Sequence, residues 1–391
     1  MNSALAPIIT GMTQISKFLL SLVFLVAGIS IASADAEYTL TDLGSVPTMT
    51  HSDAQVVTNN GEVYGNYGGM SWDRRYRWTA SSGLVDLQSV LGFPSDYWFE
   101  NFDSYGVDQN GSFFYSREAD RLVKKWNSGN GSTLVDPTLG PVTGLKVSPS
   151  GAYLTGQQWL FPNANQGFVW QQSIGAGTLV MPSGQQIRPY AVNDQGAVVG
   201  YGNTNVGFAL PEAVRCVNGS QPEVIVHLGT DYASVAEFIN SSGLIAGNYG
   251  YGGITRNSFI WSEQSGLTEV PYVPGAVFSV ATGLTDSGLV VGVTGVNQYD
   301  RPFPFVWSAQ EGSRRLSSLV DSSLAGWYLQ QAYGVSPDGK IVGMGQFGGR
   351  DRAFLLTPVP EPSSLAAIGL GVLAVIRRRR SSTHRTGLKR T

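Results

Sequence analysis

The side chains that most often do chemistry are few and scattered in this chain. The histidines are His51, His227 and His384, which share no metal-ligand spacing, and Cys216 is the one cysteine. A protein zinc site needs several thiolate or imidazole ligands, and no G-x-S-x-G sequence or phosphate-binding glycine loop occurs. We therefore predict no catalytic residues, no metal site, no cofactor and no enzymatic activity. A Ser-His-Asp triad built from distant repeats around His51 or His227 remains open as an alternative.

One aromatic and acidic stretch departs from the rest of the chain and is the candidate for ligand binding. It spans residues 93–105 and contains Tyr97, Trp98 and Phe99. Large aromatic side chains supply rigid contact area at binding surfaces, so these three are candidates for a platform on which a sugar ring stacks. The alternative is that they pack between repeats, as Trp327 would at a similar place in the last repeat.

Four acids recur shortly before glycines that mark turns. They are Asp108, Asp194, Asp286 and Asp338. A calcium loop needs further oxygen ligands at fixed later positions, and the sequence after Asp108 lacks them. Aspartate and asparagine before glycine favour tight hairpin turns. We therefore interpret these acids as turn formers.

The C-terminal sequence has the three-part layout of a membrane signal. A linker of residues 357–364 carries Pro360, Glu361 and Pro362, an apolar segment of residues 365–376 follows, and a basic tail of residues 377–391 opens with Arg377, Arg378, Arg379 and Arg380. Positive charge beside an apolar helix keeps that end in the cytoplasm. As a single helix the apolar segment covers about 18 Å, short of the roughly 30 Å hydrocarbon core. We therefore predict transient anchoring in the inner membrane, with a permanent tail anchor as the alternative.

The N-terminal residues 1–36 have the layout of a secretory signal peptide. Lys17 precedes an apolar run at residues 18–31, and an A-x-A cleavage site ends at Ala36. The sequence therefore predicts export, with either Met1 or Met12 as the true start. A retained N-terminal membrane anchor is the alternative.

Between these signals, residues 37–356 repeat one pattern. The turn glycines recur about every 45 residues and are Gly61, Gly111, Gly151, Gly196, Gly243, Gly288 and Gly339. After each come a β-branched strand, an aromatic strand and a final strand. In the fourth repeat the aromatic strand is predicted at residues 208–210, and in the sixth the final strand at residues 316–320.

The repeats predict an all-β protein, a seven-bladed β-propeller. The seventh repeat lacks its final strand, and residues 38–44 have the sequence of one. We therefore predict that this N-terminal strand closes the last blade by pairing with residues 353–356, which removes an exposed sheet edge. An open β-solenoid is the alternative.

The charge of the repeat region excludes one class of partner. Residues 37–361 contain 27 acidic and 17 basic residues, a net charge of −10. Nucleic-acid binding requires basic patches that neutralise phosphates. We therefore predict no nucleic-acid partner.

The tail resembles the PEP-CTERM sorting domain of bacterial exported proteins over residues 359–380. The resemblance rests on the order of the Pro360-Glu361-Pro362 tripeptide, the apolar run and the arginine cluster. It implies that an exosortase-type enzyme recognises the tripeptide, removes the tail and delivers the protein to the cell surface or the exopolysaccharide matrix of a biofilm.

The repeats resemble the HAF family of bacterial extracellular repeats over residues 38–356. The Val-Val-Gly strands and Ala353-Phe354 carry the resemblance, with Arg352 in the place of the family's histidine. It implies an extracellular location and assigns no activity.

Together these observations favour a non-catalytic propeller with a structural or binding role at the cell surface or in the matrix. A carbohydrate-binding, lectin-like propeller that uses loops at one face is the first alternative. An exported glycan-cleaving enzyme is the second, and it requires two carboxylates about 5–9.5 Å apart.

Overall fold

The computed structural model describes much of the repeat region. The described residues are 36–44, 51–69, 72–92, 102–117, 122–128, 130–160, 164–179, 186–202, 210–217, 219–251, 256–296 and 302–359. The predicted signal peptide up to residue 35, the side chains of Tyr97, Trp98 and Phe99, and the sorting motif, apolar segment and arginine cluster beyond residue 359 lie outside them. Within the described ranges no helix is long and apolar enough to cross a membrane.

The described residues are mostly β-strands, arranged as antiparallel groups of four numbered here in chain order. Group 1 contains β2 (His51–Val57), β3 (Val63–Gly69), β4 (Trp72–Thr79) and β5 (Gly83–Asp86), and group 2 contains β6 (Phe102–Val107), β7 (Phe113–Arg117), β8 (Val123–Asn127) and β9 (Gly131–Leu134). Group 3 contains β10 (Val142–Val147), β11 (Tyr153–Leu160), β12 (Ala164–Gln171) and β13 (Gly175–Leu179), and group 4 contains β14 (Ile187–Val192), β15 (Val198–Gly202), β16 (Glu212–Cys216) and β17 (Glu223–Val226). Group 5 contains β18 (Tyr232–Ile239), β19 (Ile245–Tyr251), β20 (Asn257–Ser262) and β21 (Gly266–Glu269), and group 6 contains β22 (Phe278–Leu284), β23 (Val290–Gly295), β24 (Phe303–Ser308) and β25 (Gly312–Arg315). Group 7 combines β26 (Trp327–Val335), β27 (Ile341–Phe347) and β28 (Arg350–Pro358) with the first strand of the chain, β1 (Tyr38–Asp42). Short helical elements in the described ranges are α1 (Leu87–Val90) and the 3-10 turns η1 (Leu316–Leu319) and η2 (Ser322–Leu324).

The first strand of the chain completes the last group. β1 pairs antiparallel with β28 along its whole length, beginning with Tyr38 opposite Pro358. This is the pairing that the incomplete seventh repeat predicted. A parallel bridge between His51 and Asp351 then links group 7 to group 1, so that these two groups share one eight-stranded sheet.

The hydrophobic core lies between consecutive groups rather than at one centre. Six of the seven clusters of buried side chains in the described ranges draw on two groups that are neighbours in the chain, and the seventh joins group 7 to group 1. Phe259 of group 5, for example, packs with Val199 of group 4. Leu355 of group 7 shares a cluster with Val63 of group 1. The packing therefore closes on itself, and each group is stabilised by burial against both neighbours.

A glycine in the second strand of several groups has a packing reason. Gly292 lies opposite Phe305 on the next strand, and a Cβ at Gly292 would come within 2.3 Å of the Val280 carbonyl oxygen. The same pairing joins Gly247 to Phe259 and Gly343 to Phe354. An aromatic ring thus covers a glycine, and the absence of a side chain at that glycine lets the first strand of the group pack closely against it.

One strand prediction, at residues 316–320, is wrong, and another, at residues 208–210, falls mostly outside the described residues. Residues 316–320 do not form a strand, because β25 ends at Arg315 and the chain continues as η1. Leu316 and Leu319 are both buried, and a spacing of three fits one face of a 3-10 turn, whereas a strand would point them to opposite faces. The third strand of group 4 is β16, so the prediction at residues 208–210 falls before the strand that pairs with β15.

Candidate functional site

A central channel of about 610 Å³ is the main candidate site in the described structure. It is enclosed by the first strand of each group, from β2 to β26. Each of these strands contributes the residue six positions before its turn glycine; these are Gln55, Tyr105, Leu145, Tyr190, Glu237, Thr282 and Tyr333. One repeated position therefore contacts one channel in all seven groups and holds five different residue types.

β-Bulges account for this arrangement. Glu237 lies between Ala236 and Phe238, where the register between β18 and β19 shifts by one residue. The corresponding one-residue shifts occur in β2, β14, β22 and β26, and in β10 the shift falls between Thr143 and Lys146. A bulge leaves one residue without a partner and re-aims its side chain. In β6 the shift lies earlier, between Phe102 and Ser104.

Three tyrosines give the channel an aromatic lining. The guanidinium of Arg75 lies 4.6 Å from the ring centroid of Tyr105, and the rings of Tyr190 and Tyr201 are 5.9 Å apart. Burial raises the pKa of Tyr333 to about 12. These side chains therefore present neutral rings and hydroxyl groups to the channel at neutral pH.

The channel also contains a cation and a carboxylate from two different groups. Lys146 of β10 is open to water within the channel, yet the surrounding strands desolvate its ammonium and lower its pKa, an effect that the charge of Glu237 partly offsets. Desolvation likewise raises the pKa of Glu237, and the Nδ2 of Asn248 donates to its Oε1 at 3.0 Å. No ion-pair partner of Lys146 is present in the described part of the chain. The ammonium is thus available to an anion that enters the channel.

A second carboxylate lies beside the channel. Burial raises the pKa of Asp53, and two side-chain amides offset part of that rise. The Nε2 of Gln55 donates to Asp53 Oδ1 at 2.7 Å, and the Nδ2 of Asn66 does so at 3.1 Å. Asp53 therefore positions the amide of Gln55, which itself lines the channel.

The turns at one end of the channel form a ring in which hydrogen bonds join several neighbouring turns. The residue three positions before each turn glycine is buried; these are Thr58, Asp108, Ser148, Asn193, Asn240, Thr285 and Ser336. Asn240 is typical: its Oδ1 accepts from the amides of Ser242 and Leu244, and its Nδ2 donates to the Thr285 carbonyl of the next group at 3.1 Å. The ring fixes neighbouring groups relative to one another.

The recurring acids take part in these turns. Asp108 Oδ1 accepts from the amides of its own turn, while Asp194 and Asp286 accept from the amides of Ser150 and Ser241 in the preceding group, each at 2.9 Å. Asp338 contacts the side chains of its own turn. Their interpretation as turn formers agrees with these bonds. No group of three or more metal-ligating side chains lies together in the described ranges.

His51, His227 and Cys216 lie apart from the channel lining, and His384 lies outside the described residues. His227 Nδ1 contacts the buried carboxylate of Glu212, and His51 lies on β2 at the bridge to β28. Cys216 Sγ donates to the Ser220 carbonyl, and burial raises the pKa of the thiol. A raised thiol pKa disfavours the thiolate that nucleophilic chemistry requires.

The sequence-based candidates Tyr97, Trp98 and Phe99 lie outside the described residues. The sequence analysis did not identify the channel residues. Their signal was present in the sequence as a fixed offset of six from each turn glycine. The position six residues before each turn glycine has no common residue type, because it holds amide, aromatic, aliphatic, acidic and hydroxyl side chains. Only the bulge reveals that this position faces the channel.

Comparison with known proteins identifies the tail and the fold. Residues 358–380 match the PEP-CTERM protein-sorting motif, which implies an exported protein with a membrane-anchored C-terminal sorting signal that an exosortase-type enzyme processes. No curated protein matches the chain in sequence.

Solved structures with the same fold are β-propellers. A virginiamycin B lyase from Staphylococcus aureus is 10% identical, with a TM-score of 0.51, 83% of this chain covered and 100% of that one. The β-propeller domain of the Trilobed protease from Pyrococcus furiosus, described as having an open velcro topology, is 8% identical, with a TM-score of 0.51 and coverage of 80% and 98%. The extracellular domain of a putative hybrid two-component system from B. thetaiotaomicron is 10% identical, with a TM-score of 0.50 and coverage of 82% and 39%. At such identities the likeness establishes the fold alone.

Proposed function

We propose that this chain is a surface-delivered bacterial protein whose folded domain has a non-catalytic structural or binding role. The proposal is based on a β-propeller fold that ends where a PEP-CTERM sorting motif begins. The single observation that carries this proposal is the position of the motif. β28 ends at Pro358 and the match to the motif starts at residue 358. Cleavage within the motif would therefore release the folded region with every strand of group 7 in place.

The proposed domain is a ring of seven blades spanning residues 37–356. The support is the seven groups of four strands, the cores shared by consecutive groups, and the strand β1 that completes group 7 from the opposite end of the chain. In this proposal residues 1–36 are removed as a signal peptide, and residues 365–376 form a helix that anchors the chain until it is cut.

The test is the mature C-terminus. The full chain is produced in a host with an exosortase and in the same host without it, and the mass of the exported protein is measured. We expect loss of residues beyond the Pro360–Pro362 tripeptide only in the first host, and we expect Glu361→Ala to block it. Glu263→Ala, at a well-exposed glutamate of the folded domain, is the matched control. A chain that ends at Thr391 and stays in the inner membrane of the first host would refute the proposal.

A carbohydrate-binding role is the second candidate, and the channel favours it. Aromatic rings, amides, hydroxyls and one cation converge there, which is the mixture of stacking surfaces and hydrogen-bonding groups that suits a sugar. The proposed location is then the channel rather than the stretch at residues 93–105. The exopolysaccharide matrix is the proposed partner.

A further inference from the structure

We propose that the central channel binds a uronate unit of a polysaccharide, with the ligand carboxylate on Lys146 and the sugar ring against Tyr190. The inference rests on the proposed function, in which the folded domain is delivered into a polysaccharide matrix. It names a site, a ligand class and the role of each contacting residue.

The charge of the channel differs from that of the domain around it. Residues 37–361 carry a net charge of −10, which repels an anionic polymer in general. Lys146 lies in the channel without an ion-pair partner in the described part of the chain. Arg75 lies over the ring of a channel tyrosine, and Arg188 lies two residues from another. The acids near these cations are each engaged by side-chain amides, Asp53 by Gln55 and Asn66, and Glu237 by Asn248. The channel is thus a local site for an anion on an acidic protein.

The order of the strands brings the required groups to one place. β14 lies between β10 and β18 in the order of the groups, so Tyr190 stands between Lys146 and Glu237. A pyranose ring against Tyr190 would direct one edge to the ammonium and the opposite edge to the carboxylate. A uronate has a carboxylate on one edge and hydroxyl donors on the other. An ammonium has three donors and no acceptor, and a carboxylate accepts hydroxyl protons.

Neighbouring lining residues add neutral hydrogen-bonding groups. Thr282 Oγ1 already donates to the Ala332 carbonyl at 2.7 Å, so its oxygen remains an acceptor. Gln55 is held through its Nε2 by Asp53, so its carbonyl oxygen is directed elsewhere. Both groups accept from sugar hydroxyls, and neither adds charge. The discrimination between acidic and neutral sugars therefore falls on Lys146.

The full-length chain, purified in detergent, is titrated with galacturonate and glucuronate oligomers and with neutral glucose oligomers by calorimetry and ligand-observed NMR. We expect uronate oligomers to bind at least about tenfold more tightly than neutral ones, because a charge-assisted hydrogen bond distinguishes them. Lys146→Met is expected to remove this preference by weakening uronate binding about tenfold or more. Lys125→Met, on β8 and outside the channel lining, is the matched control and should bind like the wild type.

Glu237→Gln provides an independent variant with the opposite expectation. Removing the negative charge should raise the ratio of uronate affinity to neutral-oligomer affinity, because only the uronate gains from the lost charge repulsion. Equal binding of acidic and neutral oligomers, no binding of any oligomer, or a Lys146→Met protein that binds uronate like the wild type would each overturn the inference. The mass of the mature C-terminus, measured separately, decides the proposed delivery whichever way the titration falls.

Discussion

Closure of the ring by β1 can be tested with one truncation of a buried side chain. Leu40 is 7% exposed and packs in the cluster between groups 6 and 7, together with Phe354. Truncating a buried leucine to alanine costs about 2–5 kcal/mol, because transfer energy is lost and a cavity remains. We therefore expect Leu40→Ala to lower the free energy of unfolding by that amount. Leu134→Ala, at a leucine that is 46% exposed on β9, should change it by less than about 1 kcal/mol.

The magnitude for the whole strand follows from the same contacts. Tyr38 and Leu40 lie in one cluster and Leu43 in the next, so deleting residues 37–44 removes three buried side chains worth on the order of 10 kcal/mol together. That loss is comparable to the entire stability of a typical domain, about 5–15 kcal/mol. It also exposes the edge of β28, an open template for pairing with other chains. We expect the deleted protein to aggregate or to melt far below the wild type.

The assay is urea unfolding followed by tryptophan fluorescence, with a rescue experiment. A synthetic peptide of residues 37–44 should restore part of the lost stability, because it supplies the missing antiparallel partner of β28. The reasoning fails if Leu40→Ala is no more destabilising than Leu134→Ala. It also fails if the deleted protein unfolds at the wild-type urea concentration.

Three further predictions test the packing, the channel and the turns. Gly292→Ala should lower the free energy of unfolding in urea by about 1–3 kcal/mol, because the added Cβ meets a backbone carbonyl. The control Gly177→Ala, whose Cβ would have ordinary contacts at 3.8 Å, should lower it by less than about 1 kcal/mol. Equal losses in the two variants would contradict this prediction. Because desolvation raises the folded-state pKa of Glu237, the folded state loses stability as pH rises through that pKa. Glu237→Gln should therefore melt at a higher temperature than wild type near neutral pH, with the difference vanishing below the ordinary glutamate pKa; a difference that grows on acidification would count against it. Asn240→Ala should lower the unfolding free energy by about 1–3 kcal/mol, because buried amides and a carbonyl lose their partner. Amide hydrogen exchange at the turn of Leu244 should become faster. Unchanged exchange there would argue against the ring of turns.

The sequence alone determined the repeat, the strand-rich fold and the closing strand. Turn chemistry and β-branched runs are local properties, so the spacing of the turn glycines located the strand groups without tertiary information. The missing final strand of the last repeat and the spare strand at residues 38–44 predicted the pairing of β1 with β28. The sorting motif was readable for the same reason, since its parts are contiguous in the chain.

Only the tertiary structure showed where a predicted strand is instead a 3-10 turn and which side chains lie together in the channel. Residues 316–320 fit a strand in the sequence because short apolar runs fit either period, whereas Leu316 and Leu319 are both buried on one face of a 3-10 turn. Lys146 and Glu237 belong to different repeats, and no local pattern states that they face one cavity. That juxtaposition depends on bulges, which shift the register by one residue and turn a side chain toward the axis. The sequence therefore specified the ring, and the bulges in its inner strands specified what the ring presents at its centre.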